Sequence, residues 1–229
     1  MELISGPLSL FGKKVEIALA EKGIPFERVL APFTQTQGYA PRHPRVVAHN
    51  PKGQVPVLFD GDLSLYDSTV IIEYLEDAYP APPLFPAAPA ARARCRLLEL
   101  YADEVILASI RPLMHRTEPG ARERADWAAR EATAAQSIAV LPTHFAKTEA
   151  DLAGGDYLCG TFSAADTATF LQYFYAQRLG GPSMKPFARL MEWYRRVGAR
   201  PAVAAVVAET LAADARLSAP VDGAHKDTD

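Results

Sequence analysis

The chain has 229 residues, 49% of them hydrophobic, with a formal net charge of −3 and a pI near 6.0. That is enough apolar material for one large core or two small ones, and the lack of any basic run argues against a nucleic-acid partner. No segment is apolar and uncharged over the length a membrane crossing needs, and the first residues lack a basic leader followed by a long apolar stretch, so the sequence reads as cytoplasmic with no membrane partner. Cys95 and Cys159 lie far apart, form no C-x-x-C pair and show no metal-ligand spacing with histidine. Neither a disulfide framework nor a metal site is expected.

In chain order, Leu3 and Ile4 read as a short first strand. Residues 11–22 carry Val15, Ala18 and Leu19 at helical spacing with Gly23 as a C-terminal stop, and residues 26–30 read as a second strand. A strand, a helix and a strand in so few residues favour a right-handed parallel crossover. Residues 32–44, rich in Pro, Thr and Gln, are expected to form a loop with only a short helical piece. Residues 55–59 then read as a strand, Asp60-Gly61 as a hairpin turn and residues 63–66 as the returning strand. Asp67 and Ser68 supply side-chain oxygens that open a helix, whose apolar Val70, Ile71, Tyr74 and Leu75 recur at helical spacing until Pro80 stops it. The start of such a helix presents free N–H groups and a partial positive charge, which suit a carboxylate.

Residues 1–80 thus read as a mixed α/β domain, and residues 81–89 as a Pro-rich linker whose prolines cannot continue a helix. Beyond it the pattern is helical, with helices expected over residues 90–116, 121–150, 163–179, 185–198 and 201–213, giving an all-α domain over 90–217. Residues 218–229 are polar, lack periodicity and are expected to fray. Gly160-Thr-Phe-Ser-Ala-Ala-Asp166 has the form of a capping box, in which Ser163 and Asp166 satisfy each other's backbone donors. His115 reads as a helix-terminus residue and Trp127 and Trp193 as packing residues.

Gln54-Val55-Pro56 before a hairpin, followed by Asp67-Ser68 at the next helix, resembles the glutathione site of the cytosolic glutathione transferase superfamily. The pattern from Gly160 to Asp166 is similar to the buried central helix of that family, although Thr167 stands where a large aliphatic residue is common. The resemblance implies a thioredoxin-like N-terminal domain, an all-helical C-terminal domain with the electrophile between them, a cytoplasmic homodimer, and glutathione as co-substrate without a metal. It implicates Gln54 and Val55 in backbone pairing with the cysteinyl unit of glutathione, Asp67 and Ser68 in holding its γ-glutamyl end, and a cis bond at Pro56. Arg42 and His43 lie in the loop where some members contact the glycyl carboxylate, while Lys52 reads as a solvated charge.

Ser9-Leu-Phe-Gly-Lys-Lys-Val15 resembles the S-x-F-x-x-K-V arrangement of serine-type members such as the plant tau class. By that resemblance Ser9 stays protonated and donates to the glutathione thiolate, and Ser5 is left to loop packing; a serine at this place also caps the helix without any catalysis. A free thiol has a pKa of roughly 8.5, and lowering it by two units takes ~2.7 kcal/mol. A hydroxyl donor worth about 1.5–3 kcal/mol and a helix terminus worth about 0.3–1 kcal/mol supply that. A small hydrophobic electrophile would meet Leu8, Phe11, Tyr101, Val105 and Tyr173. No cysteine precedes Cys95, so the mixed-disulfide chemistry of the omega class is not implied, and the Ser-Ser-Cys loop of the zeta-class isomerases is absent. A glutathione S-transferase that detoxifies electrophiles is the expectation. A non-catalytic ligand-binding or docking protein, and a glutathione-dependent peroxidase or dehalogenase, stay open beside it.

Overall fold

The computed structural model describes residues 1–227, and the chain divides into two compact units. The first comprises residues 1–84 and 201–217, and the second residues 85–200 together with residues 218–227. The division falls between Leu84 and Phe85, inside the Pro-rich stretch.

The first unit runs β1 (Glu2–Ser5), α1 (Leu10–Glu21), β2 (Glu27–Leu30), α2 (Pro44–His49), β3 (Val57–Asp60), β4 (Leu63–Tyr66) and α3 (Ser68–Ala78). Its sheet has the order β2-β1-β3-β4, with β1 parallel to β2 and antiparallel to β3, and the β3–β4 hairpin closing on Asp60 opposite Leu63. The crossover through α1 and the Asp60-Gly61 turn therefore produce a thioredoxin-like mixed sheet. Ile4, Ala31, Val46 and Val57 form a core cluster on it, with Val29, Tyr39, Val55 and Phe59 packed alongside.

The apolar spacing of α1 describes only part of what it buries. Lys13, Lys14 and Glu16 are also enclosed, a costly arrangement unless each charge finds partners. Glu16 takes Lys13 at 2.9 Å and Arg28 at 2.8 Å. A ninth helix, α9 (Pro201–Leu217), closes this network, because Glu209 pairs with Arg28 and lies 3.9 Å from Lys13. Helical periodicity alone groups α9 with the helices before it; its ion pairs and its packing on α1 place it in the first unit instead. At the far end of α1, Lys22 Nζ donates to Glu76 at 2.7 Å and to the carbonyls of Tyr79 and Pro82 at 2.8 and 3.0 Å. The Glu76 carboxylate also accepts the Leu84 N–H at 2.9 Å, so α1, α3 and the start of the Pro-rich stretch are tied together.

The second unit is helical: α4 (Pro89–Leu100), α5 (Leu107–Ile110), α6 (Trp127–Asp151), α7 (Ala164–Arg178) and α8 (Ala188–Gly198). The single helix expected over residues 90–116 is interrupted. Tyr101–Ile106 widens into π-helical turns, and Arg111–Thr117 tightens into a 3₁₀ segment that contains Pro112, whose missing N–H cannot sustain the α ladder. The second expected helix likewise starts later, at Trp127, after a separate 3₁₀ turn at Ala121–Glu123. α7 is buried along its whole length. Residues 218–227 are held, contrary to the expectation of a frayed tail: the Ala219 N–H donates to the Thr117 carbonyl at 2.9 Å, and Ser183 Oγ and Met184 N each donate to the Asp227 carboxylate at 2.6 Å. Residues 228–229 lie outside the described residues.

Candidate functional site

Residues singled out in the sequence lie in the first unit around the end of β1 and the starts of β3, α1 and α3. After β1 the chain turns through Gly6 and Pro7, and the Ser9 N–H donates to the Gly6 carbonyl at 3.2 Å. A side chain at Gly6 would run into the Tyr39 hydroxyl, so this turn is held tight against the loop that follows β2. Ser9 stands as the N-cap of α1, nearly buried at 9% exposure, and its Oγ accepts the Gly12 N–H at 3.1 Å. Accepting leaves the hydroxyl proton free to be donated elsewhere. Ser5 is differently engaged. Its hydroxyl donates to Glu16 Oε1 at 2.6 Å inside the buried ion network. Gly12 separates the two serines, and a methyl group there would collide with Ser5 Oγ and press on Ser9.

Before β3, Asn50 organises the turn. Its side-chain amide donates to the Gln54 carbonyl at 2.6 Å, and its Oδ1 accepts the Lys52 N–H at 2.9 Å. Gly53 has a φ of 61°, which side chains rarely adopt, and the exposed Arg42 side chain lies over it, so that an added Cβ would have to push the guanidinium aside. Gln54 is exposed, Val55 half-buried, and the Val55–Pro56 peptide bond is cis. His43 is the N-cap residue of α2 and makes no capping bond with its side chain.

At the start of α3, Asp67 adopts φ 75° and ψ 123°, a conformation uncommon for a residue with a side chain. Such a conformation costs of order 1–3 kcal/mol, and neighbouring contacts must hold it. One contact is the capping bond from the Thr69 N–H to Oδ1 at 3.1 Å, and another is Lys52 Nζ at 3.3 Å from Oδ2. Ser68 is buried directly behind it, and the buried Lys14 Nζ donates to Thr69 Oγ1 at 3.2 Å. Lys52 and Lys14 add positive charge to a helix N-terminus that is already partly positive. Lys14 was not singled out from the sequence, and Lys52 was read there only as a solvated charge. The signal for Lys52 lay in its place two residues after Asn50, on the turn that presents Gln54.

The residues expected to meet an electrophile are distributed over both units. Leu8 is buried beside Ser9, and Phe11 is half-buried in the first turn of α1. In the second unit, the Tyr101 hydroxyl lies 2.7 Å from His144 Nδ1, and Ser109 Oγ lies 3.1 Å from His144 Nε2. Burial holds the His144 imidazole below its ordinary pKa. Val105 is exposed. Tyr173 corrects its expectation: it has no exposed surface, its hydroxyl bonds Thr148 Oγ1 at 2.6 Å and the His144 carbonyl at 3.0 Å, and its ring packs edge-on against Phe145 and Trp193. A side chain so enclosed has no face to offer a ligand.

The capping-box aspartate is also a core residue. Asp166 accepts from Ser163 N, Ser163 Oγ, Leu158 N and Trp193 Nε1, all between 2.8 and 3.0 Å. Burial pushes its carboxyl up and these donors work against that shift. Among the described residues no group of His, Cys, Asp and Glu is arranged to hold a metal ion, and no helix is long and apolar enough to cross a membrane.

Residues 3–83 match the sequence profile of the glutathione S-transferase N-terminal domain. A stringent starvation protein A homolog of Coxiella burnetii is 42% identical over 100 residues, a stretch that is 43% of this chain and 44% of that protein. The chain thus matches under half the length of that relative. The structure of a glutathione S-transferase from Rhodospirillum rubrum superposes with a TM-score of 0.77 at 27% identity, covering 90% of both chains. A Sulfitobacter glutathione transferase homolog, solved with bound glutathione, superposes with a TM-score of 0.71 at 26% identity, covering 90% of this chain and 95% of that one.

Proposed function

We propose that this chain, which belongs to the cytosolic glutathione transferase superfamily, binds glutathione on its first unit and activates the thiol for attack on small apolar electrophiles. The observation that carries the reading is the division of labour between the two serines. Ser5 spends its proton on Glu16, whereas Ser9 accepts from Gly12 and keeps its own proton to give. In this reading the Ser9 hydroxyl donates to the glutathione sulfur, and the neutral thiol loses its proton more readily because the anion gains that hydrogen bond. The exposed Gln54 and the backbone of Val55 pair with the middle of the tripeptide. Asp67 holds the γ-glutamyl ammonium, while the free N–H groups at the start of α3, beside Ser68 and Lys52, receive the γ-glutamyl carboxylate. Arg42, which lies over Gly53, and His43 are the basic groups assigned to the glycyl end. Leu8 and Phe11 offer the apolar surface next to Ser9. We assign the protein to the cytoplasm and to a homodimer.

Retention on immobilised glutathione, followed by conjugation of a general aromatic electrophile, tests the reading. A protein that is retained and turns over supports it, and one that neither binds nor turns over removes it. A second reading has a specific finding behind it: the Coxiella burnetii relative bears a name that states no transferase reaction. A docking or ligand-carrying protein would be retained by glutathione and yet leave the electrophile unconverted. A peroxidase or dehalogenase would show turnover with hydroperoxides or haloaromatics in place of conjugation.

A further inference from the structure

One buried histidine of the second unit meets two hydroxyls that the proposed function does not use. The Tyr101 hydroxyl lies 2.7 Å from His144 Nδ1, and Ser109 Oγ lies 3.1 Å from His144 Nε2. The interruption of the helix after Leu100 brings them there. In an unbroken α-helix, residues eight positions apart, as Tyr101 and Ser109 are, stand about 80° apart around the axis. The π turns of Tyr101–Ile106 rotate less per residue and return both side chains to one neighbour on α6. α6 is itself pinned at that neighbour, since the His144 carbonyl accepts from Thr148 Oγ1 at 3.1 Å and from the Tyr173 hydroxyl at 3.0 Å.

A neutral imidazole donates at one nitrogen and accepts at the other, so one of the two hydroxyls gives a proton to this ring and the other receives one. Burial favours the neutral ring. The Tyr101 ring is held in turn by Lys147, whose Nζ lies 4.8 Å from its centroid and bonds Asp151 at 2.5 Å. Tyr101 and Ser109 are partly exposed, whereas His144 is 6% exposed. Val105 precedes Ser109 by four positions and Val140 precedes His144 by four, so each shares a helix face with its partner, and both valines are exposed. A reachable hydroxyl, a shielded base, a group that orients the base and apolar surface alongside are the parts that acyl transfer uses.

We propose that Ser109 is a nucleophile toward small activated carboxylic esters, with His144 as its base and Tyr101 as the positioning residue that orients the base. Nδ1–H of His144 donates to the Tyr101 oxygen, which leaves the Nε2 lone pair to face the Ser109 proton. In the first step Ser109 Oγ attacks the ester carbonyl carbon and its proton passes to Nε2. The bond from that carbon to the leaving oxygen then breaks, the leaving alcohol takes the proton from Nε2, and an acyl-serine remains. In the second step water attacks the acyl carbon, His144 takes a proton from the water and returns it to Ser109 Oγ, and a carboxylic acid departs. One ester and one water become one acid and one alcohol. Val105 and Val140 receive the apolar part of the ester. None of these steps uses Ser9, Asp67 or glutathione.

The test is to free the full-length protein of glutathione, block its thiols, treat it with a fluorophosphonate that labels activated serines, and map the peptides by mass spectrometry. The expected result is a phosphonyl group on Ser109, with fluoride lost, that does not form on the same protein unfolded in urea. p-Nitrophenyl acetate should give a burst of nitrophenol of one equivalent per chain, with the acetyl group on Ser109. His144→Gln should slow labelling about a hundredfold or more. Tyr101→Phe, which keeps the ring beside Lys147, should slow it roughly five- to tenfold, the worth of one neutral hydrogen bond. The proposal is overturned if Ser109 stays unlabelled while a serine protease in a parallel tube reacts, or if the label goes to Tyr101 or Lys147 instead. It is equally overturned if folded His144→Gln labels at the wild-type rate; should that variant not fold, an undiminished rate in Tyr101→Phe overturns it. Because no glutathione is present, a failure here leaves the transferase reading untouched.

Discussion

Ser9 has two tasks, which a single substitution separates. Its oxygen caps α1 by accepting the Gly12 N–H at 3.1 Å, and in the proposed function its proton serves the glutathione sulfur. Ser9→Ala loses both, so the cap removal costs about 1 kcal/mol of stability. The bound-thiol pKa should rise by roughly one to two units, matching a lost hydrogen bond to an anion of about 1.5–3 kcal/mol. Turnover at neutral pH should fall while glutathione affinity changes little, and Ser9→Thr, which keeps the hydroxyl, should restore both; a spectroscopic titration of bound thiol in the three proteins reads this directly. An unchanged thiol pKa in Ser9→Ala would leave the residue as a cap alone. Asp67 makes the complementary case. Asp67→Asn keeps an oxygen for the Thr69 N–H but removes the charge, so folding should be nearly intact, since the ion pair with Lys52 is exposed on both sides. Glutathione affinity by calorimetry should drop roughly ten- to a hundredfold if Asp67 holds the γ-glutamyl ammonium. Wild-type affinity would refute that assignment.

At the scale of elements, two close approaches decide where α1 and α7 lie. Gly12 sits within α1 with no unusual backbone conformation, so its role is room rather than freedom: an added methyl meets Ser5 Oγ. Gly12→Ala gains about 1 kcal/mol of helix propensity. It must still displace Ser5 from Glu16, and overpacking of a tight core typically costs about 1–3 kcal/mol. The melting temperature should therefore fall and not rise, with Ser9 displaced and glutathione binding weakened with it. In α7, the buried Asp166 ties the helix start to Leu158 and Trp193 through four hydrogen bonds. Asp166→Ala strands all four donors, each worth about 1–3 kcal/mol when buried and unmet. Urea unfolding should show a loss of roughly 3 kcal/mol or more; a loss under about 1 kcal/mol would mean that water reaches the site and replaces the carboxylate. Ser163 and Asp166 are legible in the sequence as a capping box. The bond to Trp193, 27 residues on, is not, because nothing local pairs an indole with a carboxylate at that separation.

At the scale of the whole molecule, stability should depend on acid through the carboxylates held by cations. Hydrogen bonding from Arg116 holds the Glu131 carboxyl below the usual range, with burial opposing and the charges of Arg116 and His115 assisting. Arg116 grips both oxygens at 2.8 Å, and His115 Nε2 lies 2.9 Å from one of them. A carboxylate with a depressed native pKa stabilises the fold fully above its unfolded pKa of about 4.3, and that contribution fades as pH falls through the native value. Arg116→Gln should therefore lose about 1 kcal/mol at pH 7, a figure kept small because Glu131 is partly exposed. Urea midpoints of the two proteins should draw closer as pH falls below about 4, leaving only the part due to the Arg116 bond to the Leu179 carbonyl. A gap that stays constant across that range would show that Glu131 carries no proton-linked stability.

What the sequence determined by itself was whatever neighbouring residues settle among themselves. The crossover through α1, the Asp60-Gly61 hairpin, the Asp67-Ser68 helix start, the Pro-rich division and the capping box all follow from turn chemistry and periodicity within a few positions. The helix-start positions of Ser9 and Asp67 and the turn position of Gln54 and Val55 follow for the same reason, whereas their roles toward glutathione belong to the proposed function. Only the tertiary structure decided the rest, because it depends on partners far apart in the chain. Burial of Lys13, Lys14 and Glu16 rests on Arg28 and Glu209, which also bring α9 to the first unit. Tyr173 went to the core because Thr148 and the His144 carbonyl satisfy its hydroxyl there. The interruption of the long helix after Leu100 escaped a periodicity that π and α turns nearly share.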